Sequence, residues 1–491
     1  MAVTRLGRQA LASLPDGTGP LVAPGDARAG IVHLGLGAFH RAHQAVYTER
    51  AMAAAGGDWG IVAVAPRSRS LVDAIGAQDG LFTVSTLSGE GAHTKVCGAI
   101  TATRHLPTDP AGIVGLIADP AIGVVTLTVT EKAHRLDPVD GSLVADADLL
   151  AELAGTAAPL TIPGLLARSL IARARTRAPI AVVSCDNLPG NGKRLRGMVF
   201  QALALSNADE ETIGWIDANV AFPATAVDRI VPASTPETYR RVTDSLGVED
   251  LGAVDAEPYI QWVLQDHFPA GRPDWAAAGA VLTDDVTPWE DLKLRTLNGV
   301  HSTLAYLGAL AGRRTIAETL AMPGMAALMR RFIAEDIAPG LRPPPGVSVV
   351  DYGEEVLERF ANPAIAHRTL QIAMDGSQKL PQRILRTITE RRSDGARPAL
   401  GALSVAAWIR FAAGTADDGT ALDLDDPYAP AIRAALASAN GSPEDAVAAV
   451  FGLRQVFPPE LADDGELRDL VAGWLGELAR HGAADLVKGL S

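Results

Sequence analysis

The order of apolar and polar positions divides the chain into two textures. From Gly30 to about residue 284, short apolar, β-branched runs alternate with stretches of helical periodicity. Ile31–Leu36 reads as a buried strand, Gly35 and Gly37 as a G-x-G turn, and a helical pattern begins at Ala38. Residues 1–28, ahead of it, read as a polar lead-in with a short helix near Arg5–Leu14. Trp59–Ala65, Phe82–Leu87, Ile122–Thr130 and Ile180–Ser184 are the next strands. Thr161 caps a helix to Arg175 with Pro163 in its first turn, residues 193–220 read as helical, and Ala280–Asp284 is a late strand. Beyond Pro288 the β-branched runs fade, and helix follows helix to Leu490, with breaks at Ala338–Gly346, Arg391–Pro398 and an acidic, solvated loop at Asp417–Pro427. The predicted fold class is α/β. A Rossmann-like, doubly wound domain over residues 1–286 is followed by a mostly α-helical domain over 287–491, with a small ligand expected in a cleft between them.

The strand–glycine turn–helix at Gly35 and Gly37 is the entry to a dinucleotide-binding fold, where glycine lets the backbone approach a pyrophosphate. The third glycine of the usual fingerprint is absent, and His40 stands in its place. Arg41 has a guanidinium to offer a phosphate. An NAD-specific site usually carries an acid at the end of the second strand, for the ribose hydroxyls. Here the residues are Pro66, Arg67, Ser68 and Arg69, so NADP stays open beside NAD. Glu131–Lys132 and Asp186–Asn187 follow strands, at the ends where ligands bind in such sheets. Asp228 and Arg229 lie between apolar residues and read equally well as a neutralised structural pair.

The helical half opens on KLRTLNGVHS, Lys293–Ser302. At 100° per residue Lys293, Asn298 and His301 project at about 0°, 140° and 80°, on one side of a helix. A lysine among apolar neighbours can be desolvated into a usable base, and an amide and an imidazole beside it can hold an oxygen. Taken alone, the same residues also fit a surface lysine, a satisfied asparagine and a core-edge histidine.

Composition narrows the function classes. The 491 residues carry a formal net charge of -14, which argues against nucleic acid or an anionic membrane as the partner. Two cysteines, Cys97 and Cys185, make neither a disulfide framework nor a cysteine-rich zinc site. No stretch reads as a signal peptide or a membrane span, so a cytoplasmic protein is expected, with a small-molecule substrate and a monomeric or small homo-oligomeric state.

Six blocks in order carry a resemblance: GLGAFHRAHQ (Gly35–Gln44), TVTEK (Thr128–Lys132), SCDNLPGNG (Ser184–Gly192), VAFPATAVDRIVP (Val220–Pro232), WEDLKLRTLNGVHS (Trp289–Ser302) and DGSQKLPQR (Asp375–Arg383). Over nearly its whole length the chain resembles the long-chain mannitol dehydrogenase family of polyol and sugar-acid oxidoreductases. The resemblance implies a zinc-independent, NAD(P)-dependent dehydrogenase. Lys293 matches the family's catalytic lysine, Asn298 an oxyanion-hole amide, His301 a substrate-binding histidine and Glu290 a glutamate of the proton exit. A second oxyanion amide belongs to the SCDNLPGNG block, with Asn187 the first choice and Asn191 the second. Asp228 and Lys379 match substrate-side residues, the blocks holding Gly35, Gly37, Phe39, Arg41, Glu131 and Lys132 fall on the cofactor side, and Arg67 joins them from its place at the end of the second strand. Ala133 and His134 depart from the Gly and Tyr of many relatives, and Gln371 from an arginine of mannitol-oxidising members. QIAMDGSQKLPQR and the stretch Ala65–Val84 look closer to the fructuronate reductase branch, which interconverts D-fructuronate and D-mannonate with NAD(H). For such a uronate, Lys379 and Arg383 are candidate carboxylate holders at i, i+4 spacing, unless they are surface cations. Mannitol 2-dehydrogenase or another polyol dehydrogenase is the alternative. Outside the dehydrogenases stand a redox-sensing dinucleotide binder and a metal hydrolase using His40, His43 and Glu131.

Overall fold

The structure, a computed structural model, describes residues 3–137 and 140–490. The chain forms two compact units, Met1–Val286 and Thr287–Ser491.

The first unit is built on a six-stranded parallel sheet. Its strands are β1 (Ala29–Leu34), β2 (Gly60–Ala65), β3 (Ile100–His105), β4 (Val124–Leu127), β5 (Ile180–Ser184) and β6 (Val220–Ala221). They lie in the order β3-β2-β1-β4-β5-β6, the doubly wound arrangement in which the winding reverses between β1 and β4. Strands buried on both faces read as continuous apolar runs, and β2, β4 and β5 are buried throughout. Alternate residues feed opposite cores. Ile31, Val124, Ala181 and Val183 pack on one face with Ala45, Trp262 and Trp275. Val32, Leu34, Val125, Leu127 and Val182 pack on the other, under helices carrying Ile113, Leu165 and Leu195.

Several expected elements fall differently. The third sheet strand is Ile100–His105, not the Phe82 run. Phe82–Ser88 forms an antiparallel hairpin with Gly91–Cys97 and pairs with Val254–Ala256 in a separate small sheet. ITATRH is an edge strand with one fully buried residue, so it lacks the apolar run that marks a buried strand. The strand expected over Ile122–Thr130 stops at Leu127, and Thr128–Thr130 leaves the sheet as a loop. The lead-in helix is a 3-10 segment at Arg8–Ser13, and the helical stretch after residue 190 is two helices, Asn191–Ala204 and Glu210–Asn219.

The second unit is helical. Its central helix, Asn298–Leu310, is buried along its whole length. The five residues before it, Lys293–Leu297, form a π-helical turn, and Pro381–Leu385 form another. Gly299 lets the start of the central helix touch the second π turn: a Cβ there would lie 3.0 Å from the Arg383 carbonyl oxygen. Arg295 locks the first π turn from beneath, donating to Thr387 Oγ1 (2.9 Å) and the Gly340 carbonyl (3.0 Å) and pairing with Glu390. The acidic loop is not wholly solvated. Asp426 is buried and accepts from the Ser377 amide (2.8 Å) and hydroxyl (2.5 Å), which pins the DGSQK segment.

Candidate functional site

In the first unit a cavity of about 500 Å³ opens at the C-terminal ends of β1, β2 and β4. Gly35 and Gly37 form its floor, Arg67 and Ser68 one flank, and the loop from Thr128 to Ala133 another. Gly35 has φ +114°, and a Cβ there would lie 2.1 Å from the Thr128 carbonyl oxygen, so only glycine fits. A Cβ at Gly37 would meet nothing nearer than 3.9 Å, which leaves open room beside the turn. This is the backbone cradle that a dinucleotide's pyrophosphate requires.

The missing third glycine has a physical counterpart. The His40 ring stacks on His33 of β1 with centroids 3.4 Å apart and planes 11° apart. His33 ties the turn to β4 through Thr126 Oγ1 (2.7 Å), the Gly35 carbonyl (2.9 Å) and Thr128 Oγ1 (2.8 Å). Burial drives His33 down to about 3 and His40 well below its ordinary value, so the stacked rings are both neutral. His43 contacts the Gln261 carbonyl at 2.8 Å and packs on Trp262. These imidazoles serve the helix–sheet contact, while Glu131 is exposed, so the hydrolase constellation is not assembled.

Arg41 corrects an expectation. It is buried, donates to the carbonyls of Gly252 (3.1 Å) and Leu36 (3.2 Å), and is held down at about 10 by desolvation. Its guanidinium is spent on backbone carbonyls of its own fold and does not line the cavity. Phe39 stacks on His43 at 4.9 Å and, like Glu131, lies outside the lining. Gly35, Gly37, Arg67 and Lys132 do line it. The lining also includes Arg135 and no carboxylate among the described residues.

The SCDNLPGNG block divides its two asparagines. Asn191 donates through Nδ2 to the carbonyls of Thr225 (2.8 Å) and Asp186 (3.2 Å), and its Oδ1 accepts from the Thr225 amide (2.9 Å). Both amide protons are used, so Asn191 is a brace that sets the start of the strand Thr225–Asp228, on which Asp228 is buried. A Cβ on Gly192 would lie 2.6 Å from the Phe222 carbonyl oxygen, so the same contact demands glycine. Asn187 is exposed beyond β5 and keeps its candidacy. Arg229 reaches the Ala42 and Glu257 carbonyls, a structural use.

In the second unit the π turn changes the geometry expected of Lys293 and Asn298. Five residues in an α-helix leave them about 140° apart. Here the Asn298 amide donates to the Lys293 carbonyl, an i→i+5 bond that sets the two residues one turn above each other. Glu290 lies three residues earlier, in the preceding short helix. Asn298 and His301 are both buried, and Asn298 Nδ2 and His301 Nε2 have no hydrogen-bond partner in the protein. Orphaned buried polar atoms are rare and call for a ligand or a strain account. His301 stacks on Phe360 at 4.5 Å and lies 4.9 Å from His367. Burial first, then His367 and the cations Arg383, Arg359 and Lys379, hold it well below its ordinary pKa. Arg383 donates to Ser302 Oγ (3.0 Å), on the turn that carries His301. Lys379 donates to the Met374 carbonyl (2.5 Å) and is lowered to about 8 by burial and by Arg383. Lys379 and Arg383 are therefore partly buried cations beside His301, not solvated surface charges.

Sequence reasoning marked Asp186 only as a strand-end residue and His134 only as a departure. The structure joins them: Asp186 accepts from the amides of Val129 (2.8 Å) and Thr130 (3.0 Å) and contacts His134 Nε2 at 2.7 Å. The signal available was a buried strand followed directly by an acid.

Residues 29–277 match the mannitol dehydrogenase Rossmann domain, and residues 285–478 the mannitol dehydrogenase C-terminal domain. The D-mannonate oxidoreductase of Escherichia coli K12 is 39% identical, covering 94% of this chain and 95% of that protein. A mannitol 2-dehydrogenase of Cereibacter sphaeroides is 36% identical, covering 94% and 95%. The structure of Pseudomonas fluorescens mannitol 2-dehydrogenase, a ternary complex with NAD and D-mannitol, superposes with a TM-score of 0.86 at 34% identity, covering 99% of both chains. The chain belongs to the mannitol dehydrogenase family, the NAD(P)-dependent oxidoreductases that act on CH–OH groups of polyols and sugar acids.

Proposed function

We propose that this protein interconverts a secondary alcohol and a ketone of an open-chain sugar acid, with D-mannonate and D-fructuronate as the pair and NAD(H) as the principal cofactor. The observation that carries the reading is the pair of orphaned polar atoms, Asn298 Nδ2 and His301 Nε2, on the turn above Lys293. The relatives named a D-mannonate oxidoreductase and a mannitol 2-dehydrogenase bound to NAD support the substrate class and the cofactor.

The dinucleotide, when bound, supplies the hydride acceptor at its nicotinamide. Lys293, in its neutral form, takes the proton from the substrate hydroxyl as the carbon loses hydride, and protonated Lys293 returns it in the reverse direction. Charge developing on that oxygen is met by the Asn298 side-chain amide, whose Nδ2 has no competing partner in the protein. Such a donor typically contributes about 3–4 kcal/mol to the transition state. Asn187 is the candidate for a second donor. Neutral His301 holds a neighbouring hydroxyl, and Glu290 carries the proton from Lys293 toward solvent. Asp228 belongs to the substrate side in the same reading.

Lys379 and Arg383 favour a sugar acid over a neutral polyol. Lys379 already donates to the Met374 carbonyl and Arg383 to Ser302 Oγ, but these neutral acceptors leave the two positive charges in place. A substrate carboxylate adds a charge partner for them, and a neutral polyol does not. The direct test is a panel of D-fructuronate, D-tagaturonate and D-fructose with NADH and NADPH, beside Lys293→Ala. NADH oxidation with fructuronate, lost in the variant, is the expected result. Turnover of fructose in its place moves the protein to the polyol branch, the second reading.

A further inference from the structure

The loop that walls the dinucleotide cavity contains a backbone conformation that its residue does not favour. Thr130 has φ 75° and ψ 156°. That region is essentially reserved for glycine, and a β-branched residue held there is strained. Thr130 itself lines the cavity, with Val129 and Lys132 on either side. Strain of this kind persists only where the surroundings over-determine it.

The surroundings are specific. Ahead of Thr130, the Thr128 amide donates to the Leu34 carbonyl (2.9 Å) and the Thr128 hydroxyl to the Gly35 carbonyl (3.0 Å), docking the loop on the glycine turn. One carboxylate, Asp186 at the end of β5, then accepts the amides of both Val129 and Thr130 through Oδ1. Its other oxygen is held at 2.7 Å by His134, four residues farther along the same loop. His134 is buried, so the contact is shielded from water. Asp186 thus grips the loop at the strained residue and again after it, from a buried position two residues beyond the end of β5.

We propose that Asp186 and His134 are positioning residues for the cofactor: they hold Thr130 in its left-handed conformation so that residues 129–133 present a preformed wall to the dinucleotide. This rests on the reading of the cavity as the dinucleotide site. Preorganisation of this kind shows in affinity, because a loop that must be reordered on binding subtracts its ordering cost.

The test is a titration of NADH by fluorescence, with the fold monitored by circular dichroism. Asp186→Ala is expected to raise the NADH dissociation constant by about tenfold, because the strained conformer loses its support. Asp186→Asn keeps an acceptor for the two amides and is expected to stay within about threefold of the wild type. The deciding arm is Thr130→Gly. Glycine adopts the conformation freely, so Thr130→Gly in the Asp186→Ala background is expected to recover most of the lost affinity. If Asp186→Ala does not fold, His134→Phe takes its place, weakened in affinity and again recovered by Thr130→Gly. An unchanged dissociation constant in the alanine variant, or a loss that Thr130→Gly leaves in place, overturns the positioning role. Absence of NADH binding by the wild type overturns the cavity reading as well, so the two failures are distinguishable.

Discussion

Lys379 makes the choice between a sugar acid and a polyol measurable by pH alone. Burial lowers its ammonium to about 8, with Arg383 acting in the same direction and Asp375, Asp426 and Asp425 opposing. The sign follows directly: the group is a cation below about 8 and neutral above it. The fraction charged falls from about nine-tenths at one pH unit below that value to about one-tenth at one unit above. Arg383, lowered to about 10, keeps its charge across the same window, and His301 is neutral throughout. If Lys379 holds a substrate carboxylate, KM for fructuronate should rise by up to about tenfold between pH 7 and pH 9, less whatever the bound anion does to raise the ammonium's pKa. KM for a neutral ketose should stay flat. Initial rates for both substrates across that range are the assay. Lys379→Arg, whose charge does not titrate there, should flatten the fructuronate profile. A flat profile in the wild type, or a rise shared equally by the neutral ketose, refutes the assignment of Lys379 to the carboxylate.

Asn298→Ala separates chemistry from stability: removing an unpaired buried donor should leave the thermal midpoint unchanged or higher, while kcat falls about 10²–10³-fold. Loss of stability with kcat preserved would place the amide in the fold instead. Arg41→Leu should cost about 2 kcal/mol in denaturant unfolding, since two carbonyls lose their donor, and should leave the NADH dissociation constant of the folded fraction unchanged. A cofactor-affinity defect in that variant would return Arg41 to the phosphate role. Because the cavity lining has Arg67 and no carboxylate among the described residues, calorimetry should find 2′,5′-ADP binding, and Arg67→Ala should weaken NADPH more than NADH. Equal weakening of both would show that Arg67 does not meet a 2′-phosphate.

How much was legible in the sequence differs by kind of information. Local periodicity and β-branched runs carry burial, and burial defines the strands β1, β2, β4 and β5, the Gly35 turn and the helical second half. The closeness of Lys293, Asn298 and His301 was legible too, because the three lie on consecutive helical segments whatever surrounds them. The edge strand Ile100–His105 was not, since pairing on one side only requires no apolar run. Nor was the fate of polar side chains that reach across the fold. Arg41 finds Gly252, Asn191 finds Thr225, and Asp186 finds Val129 and Thr130, partners tens to hundreds of residues away. An arginine looks the same in sequence whether it faces a phosphate or a carbonyl, because what decides is which acceptor the tertiary structure brings within hydrogen-bond reach of its donors. The π turn belongs to the same class: Arg295, anchored on Thr387 and Glu390, lies within it, and the i→i+5 bond across it sets Asn298 one turn above Lys293.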